Sequence, residues 1–422
     1  MKNATSGALI ALCLLVLGVA VTQRDLSGNP LGPLRLPAAQ FVVTSAHDAG
    51  PGTLRDAILA ADRLSSRAHV EIAVERITIE SALPALTNPH GVDLDARANA
   101  GTIDAEHLTS GAVLQLNSPA STVRGLKMRN PNGTGVIVNA ASAVLDSLTV
   151  SDSKVGILLA PAASGSTIRG GTFEHDETAV LAEPGIRDLT LQGDTFRGSS
   201  RAGFWFVSAA VKAESPQLAA ADAAGARERA RIVDCTFIEN AAGMVLANQA
   251  TLVEKSHFTG NHDSAVLVLG GDVRIEDSEI RATRGTAISV TSGRSVHLAH
   301  NTLADNTATA IMARDSGVTI EHNELTHNGA GIVAIVTGDA GVPVIRDNTI
   351  SGTAGDAIVA IGGAAVVERN QVLQNHGAAL RVLDLATASG RVKADPHLEA
   401  NVFKGNGIDT PVAGVYPLKN AP

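Results

Sequence analysis

Between Gly243 and Leu380 this chain repeats one short sentence with small changes. Ala287-Ile-Ser-Val is followed by Val296-His-Leu-Ala-His-Asn-Thr-Leu303, Ala310-Ile-Met-Ala by Val318-Thr-Ile-Glu-His-Asn-Glu-Leu325, and Ala357-Ile-Val-Ala by Val366-Val-Glu-Arg-Asn-Gln-Val372. The small residues that open the units stand at 243, 265, 287, 310, 331, 357 and 379, a period of 21 to 26 residues. Each unit holds two β-branched runs separated by Gly, Asn and Asp turns, and none has room for an amphipathic helix. That excludes leucine-rich and helical repeats, and propeller blades need about 40 residues each. One coil per unit remains, with every strand hydrogen-bonded to its equivalent in the next coil about 4.8 Å away. The expected fold is all-β, a single-stranded parallel β-helix with an N-terminal capping helix.

A recurrent asparagine supports this. Asn301, Asn323, Asn348 and Asn370 each precede the closing apolar residue by two positions. Stacked at one turn they form an amide ladder that satisfies turn backbone. Ser278, Ser256 and Cys235 fall on the same column, so Cys235 reads as a small ladder residue and not as a nucleophile. The pattern resembles the right-handed parallel β-helix repeat proteins of the pectin-lyase-like superfamily, over roughly residues 110 to 405. The resemblance implies the fold; the same fold carries unrelated functions.

Residues 1–21 carry Lys2 and the apolar run Ala8 to Val21, which suits a signal peptide, with an uncleaved N-terminal anchor as the alternative. Export to the periplasm, the cell surface or the medium follows, and contact with a membrane is expected only through this segment if it stays uncleaved. Residues 22–40 read as a Pro-rich linker. Residues 41–105 read as the N-terminal cap and first irregular coils. There Thr53 caps a helix whose Leu54, Ala57, Ile58 and Ala61 share one face. Its Gly-Pro-Gly-Thr-Leu-Arg-Asp-Ala-Ile looks like the cap of bacterial secreted β-helix proteins. Residues 106–405 form the β-helix, with coils opening at Ala112, Gly135, Gly156, Ala179 and Gly203 before the clear repeats. Residues 406–422 form the C-terminal tail. An Ala-rich insertion occupies 208–229, and smaller expansions occur at Thr337 to Pro343 and Asp384 to Pro396. All three leave the same corner of their coils.

The net charge of −9 and the lack of a basic run argue against nucleic acid as a partner. In the first strand of each coil the outward column reads Ile137, Leu158, Leu181, Trp205, Val245, Leu267, Ser289, Met312, Val333, Val359 and Arg381. This apolar stripe, with Trp205, Leu181, Val245, Leu267 and Met312 as its binding residues, calls for a cover. The cover is a partner or the 208–229 insertion, and the stripe inverts if the inward and outward phase is off by one. The second-strand outward column, from Asp234 to Arg369 with His300 and His322 on adjacent rungs, reads as a solvated charge ladder.

The turn returning to the next coil carries His175, Asp176, Asn261, His262, Asp263, Arg284, Asn306, His327, Asn375 and His376. His262, Asp263 and Arg284 on neighbouring coils supply a base, a carboxylate and a cation, the candidate catalytic set. The simpler reading is that Asn and His favour tight turns. Asp395-Pro-His397 is similar to the Asp-Pro-His-Asp of mannuronan C5-epimerases, with Leu398 in place of the last acid. No metal site and no cofactor are expected, calcium being implied only for a lyase. Two function classes remain: an exported protein that binds polysaccharide or an envelope partner without catalysis, and a polysaccharide-active enzyme, a uronate lyase or C5-epimerase.

Overall fold

The computed structural model describes residues 39–98, 101–207, 230–337, 341–387 and 390–416. The chain divides into two units at Ala38 and Ala39. The expected signal segment, most of the linker and the 208–229 insertion lie outside the described residues.

Each coil contributes to three parallel sheets, not two. The first sheet holds 15 strands, from Ala39–Val43 through Val318–Glu321 to His397–Glu399, and the second holds 14, from Arg76–Thr78 to Val402–Lys404. The third also holds 14, from Ala112–Leu116 to Leu380–Thr387 and its partners. The long second run of each repeat is thus two strands with a bend between them. In Val318–Leu325 the bend is His322, at φ +54°, followed by the inward Asn323. The residues that sequence pattern placed on a strand, Asp234, Lys255, Asp277, His300, His322, Asp347 and Arg369, all have φ near +50°. They are left-handed turn residues, and the alternation of the flanking strands hides the extra bend.

Inward residues of the three sheets make one continuous core, from Val43 to Leu380. Within it Phe173, Phe196, Phe237 and Phe258 stack face to face with centroids 4.7–5.1 Å apart. The openers are small because they sit against the next coil. A Cβ at Gly243 would lie 2.5 Å from the Ala265 carbonyl oxygen, and one at Gly331 2.1 Å from that of Ala357. One opener moves by a residue. Ala112 pairs with Thr134, so Val113 takes the opener's place, because Leu114 and Leu116 must face the core.

Two ladders run up the two bends. In the first, the backbone N–H of each rung donates to the side chain of the next, through Ser256, Ser278, Asn301, Asn323, Asn348 and Asn370 to Asn401. Cys235 belongs to it as read, fully buried and donating its N–H to Ser256 Oγ. The second ladder was not seen in the sequence. It runs through Asp176, Asn240, Asn261, Asn306, Asn328, Asn375 and Asn406, and ends on Asp409, which accepts from Asn406. Four residues assigned to the exposed return turn, Asp176, Asn261, Asn306 and Asn375, are therefore buried rungs. The turn signal and the ladder signal are the same Asn, and only the coil geometry separates them.

At the N-terminal end the helix Leu54–Asp62 packs Leu54, Ala57, Ile58 and Ala61 inward, and Thr53 Oγ1 accepts the N–H of Asp56. It covers core and strand edges that a bare coil would expose.

Candidate binding face

The outer face of the third sheet is a single file. Register pairs Ile137 with Leu158, Leu158 with Leu181, Leu181 with Trp205, Trp205 with Val245 and Val245 with Leu267. The file continues through Ser289, Met312, Val333 and Val359 to Arg381. Their inward neighbours, such as Val136, Phe204 and Ile311, are fully buried, so the phase is as read. With rungs about 4.8 Å apart, nine apolar side chains in eleven coils, Trp205 among them, form a ribbon one sheet wide. Its apolar focus is Trp205 and Leu267 packed on Ala202, Ala242 and Val245. The Arg201 guanidinium lies 4.5 Å from the Trp205 ring centroid. At the far end Arg381 turns aside to Asp356, whose carboxyl it holds below the usual range by hydrogen bonding. There Ile335, Ile361 and Leu385 form a second apolar cluster, closed by the hairpin of Leu380–Thr387 with Gly390–Val392.

The first-sheet face is charged, and many of its charges pair with one another. Arg67 holds Asp93 through two bonds, Arg169 holds Asp146 at 2.8 Å, and Arg231 holds Glu254 at 2.8 Å. Glu321 accepts from His297 and from Arg346. Burial pushes its carboxyl up, and these two bonds outweigh that and hold it low. His300 and His322 stack 5.1 Å apart and nearly parallel, so they present faces and not converging nitrogens. Among the described residues no group of three or more His, Cys, Asp and Glu is placed to hold a metal ion.

His262, Asp263 and Arg284 stand together at the N-terminal edge of the third sheet, just before the strands Ser264–Leu269 and Thr286–Thr291. Their backbone N–H groups are tied to the preceding coil, at Asn240, Ala241 and Asn261. The three side chains are exposed, and none bonds another described residue. His397, in the Asp395-Pro-His397 segment, begins a first-sheet strand and faces Glu399.

One feature escaped the sequence reading. An open pocket of about 440 Å³ lies on the first-sheet face, lined by His69, Glu71, Asp95, Arg97 and Ala98. Glu71 and Asp95 are partners on adjacent rungs. Hydrogen bonds from Arg97 hold the Asp95 carboxyl low, while Glu71 accepts from the Gln40 amide and from no Arg, Lys or His among the described residues. The available signal was the alternation His69-Val-Glu71 and Asp93-Leu-Asp95.

A family model described as "Right handed beta helix region" matches residues 111–272 and 244–403. Among solved structures, the chain is similar to the A-module of the Azotobacter vinelandii mannuronan C-5 epimerase AlgE6, with TM-score 0.61 and 12% identity over 86% of this chain and 98% of that one. It is also similar to the catalytic unit of a GH87 alpha-1,3-glucanase from Streptomyces thermodiastaticus, with TM-score 0.55 and 15% identity over 89% of this chain and 70% of that one. A third is the tailspike of Escherichia coli bacteriophage HK620 in complex with a pentasaccharide, with TM-score 0.51 and 13% identity over 90% of this chain and 77% of that one. A search of curated proteins finds no match to the sequence.

Proposed function

The chain belongs to the right-handed β-helix family, and on that premise we propose that it is an exported protein that binds polysaccharide, or an envelope partner, along the outer face of its third sheet without catalysis. The carrying observation is the continuous apolar file with Trp205 at its focus. A sugar ring offers one face of C–H groups to an indole edge or uncovered face, and Arg201, whose guanidinium lies over one face of Trp205, offers donors to its hydroxyls. On the adjoining first-sheet face Arg67, Arg169, Arg231 and His297 engage Asp93, Asp146, Glu254 and Glu321, which supports binding over catalysis along most of that face, Glu71 being the exception. The similarity to a tailspike with a bound pentasaccharide, an epimerase and a glucanase fits a saccharide partner. Export rests on residues 1–21.

Trp205 is the single tryptophan of the chain, so intrinsic fluorescence reports on this face alone. Titration with neutral and uronate polysaccharides is expected to shift that emission. Trp205→Ala is expected to weaken binding about tenfold, the worth of one stacked aromatic. A panel that leaves the emission unchanged and is not retained by the protein would sink the binding reading.

A second reading is favoured by the pocket at His69, Glu71, Asp95 and Arg97 and by the free set His262, Asp263 and Arg284. A uronate lyase or C5-epimerase removes a C5 proton with a base and neutralises the substrate carboxylate with a cation, calcium in the lyase case. Absorbance of the unsaturated uronate product, followed over polyuronates with and without calcium, separates lyase action from binding.

A further inference from the structure

The asparagines of the second ladder are interspersed with Ser153, Ser199, Thr283 and Thr353, and one fully buried rung, Asp176, is an acid. At Asn240, Asn261 and Asn306 the side chain accepts the N–H of the rung before, and its amide donates to a second-sheet carbonyl one coil back, at Phe196, Phe237 and Ile280. That carbonyl belongs to the central residue of its strand each time. Asp176 fills the same place. Its Oδ1 accepts the Ser153 N–H at 2.7 Å, as an asparagine would. Its Oδ2 stands where the asparagines carry their NH2, is fully buried and has no partner. The carbonyl at the equivalent central position is that of Val150. An ionised carboxylate has nothing to donate there, and two oxygens would face each other.

We propose that Asp176 is a proton-operated rung, a neutral carboxylic acid that donates where the asparagines donate, and that removing its proton loosens the coils on either side. The surroundings agree. Backbone bonds between the coils place the nearest charged residues as Asp152 and Lys154 on the coil before, Glu174, His175 and Glu177 on its own, and Arg197 and Arg201 on the coil after. The adjoining third-sheet strands Val155–Leu159 and Thr178–Ala182 bring none. Burial pushes the Asp176 carboxyl up to about 8 against the bond from Ser153, with Asp152 and Glu174 adding to the rise. Its value is raised above that of an unfolded aspartate, about 4. The stability it contributes is therefore fully present below about pH 4 and is lost as pH rises to about 8.

Asp194, the other buried aspartate in a ladder, is the internal contrast. Its two oxygens accept backbone N–H groups of Gly171 and Gln192, and burial pushes it up to about 7. Its rung partner Cys235 is itself buried. An amide at position 194 would set an NH2 against the Gln192 N–H.

The test is thermal unfolding of the full chain between about pH 5 and about pH 9. The wild-type midpoint is expected to fall across this range. Asp176→Asn is expected to hold the midpoint about 2–4 °C higher at the alkaline end and to change it little at the acid end. Asp194→Asn is expected to lower it at both ends. Equal shifts for Asp176→Asn at both ends, or an unchanged slope, overturn the proposal. If that variant fails to fold, infrared spectra of Asp194→Asn decide. A protonated-carboxyl band in that variant at about pH 7.5 that is gone by about pH 9.5 supports the proposal, and its absence at the lower pH overturns it.

Discussion

The coils from 301 to 406 and those from 171 to 261 occupy the same frame and stabilise it differently. The later coils carry asparagine on nearly every rung of both bends, and most of these amides, Asn301 and Asn306 among them, use the oxygen and both N–H bonds. The earlier coils carry Gly171, Asp194, Cys235 and Ser256 on the first bend, and beside them the four-ring stack of phenylalanines. Where side-chain donors are scarce, aromatic burial takes over. The lesson is that a bend in this fold has a fixed set of backbone groups to satisfy and two ways of offsetting a weaker ladder: larger apolar rings beneath it, or a protonated acid within it.

The comparison can be broken most severely at the ring stack. Phe237, with neighbours at 4.7 Å on both sides, is expected to cost about 4 kcal/mol as Phe237→Ala, measured by chemical denaturation. Asn323→Ala attacks the later coils. It strands the Asn301 N–H and the Leu298 carbonyl in the core, and a loss of about 3 kcal/mol is expected in the same assay. Asn323→Asp sharpens the contrast further. It recreates at the first bend the arrangement of Asp176, so stability is expected to fall as pH rises from about 5 to about 9, where the wild-type rung is insensitive. No pH dependence beyond that of the parent would argue that an acid rung is tolerated by some other route. Ser256→Ala removes one acceptor for the Cys235 N–H and is expected to cost about 1 kcal/mol. Asp347→Asn on the exposed turn column breaks a bidentate bond to Arg369. Because that pair is exposed, the unfolding midpoint is expected to shift by no more than about 1 °C.

Much of this was legible before any coordinates. The period, the small openers and the Asn301-to-Asn370 column set the solenoid, because each must recur at every coil for backbone and core to close. The apolar file through Leu181, Trp205, Val245, Leu267 and Met312 was legible too, since two-residue alternation carries inward and outward directly. The bend hidden within Val318–Leu325 was not, because one left-handed residue leaves the hydrophobic alternation almost undisturbed. Nor was the second ladder: Asn261, Asn306 and Asn375 carry the same residue type that marks an ordinary exposed turn.

The sequence by itself determined the repeat, its parallel stacking and the faces of its strands, because those are periodic and periodicity is a local property. Tertiary structure alone decided which turn residues point into the core, that Asp176 stands in an asparagine's place, and that His69, Glu71, Asp95 and Arg97 share one pocket. Those facts depend on residues from neighbouring coils, some 20 positions apart, meeting about 5 Å from each other across the stack.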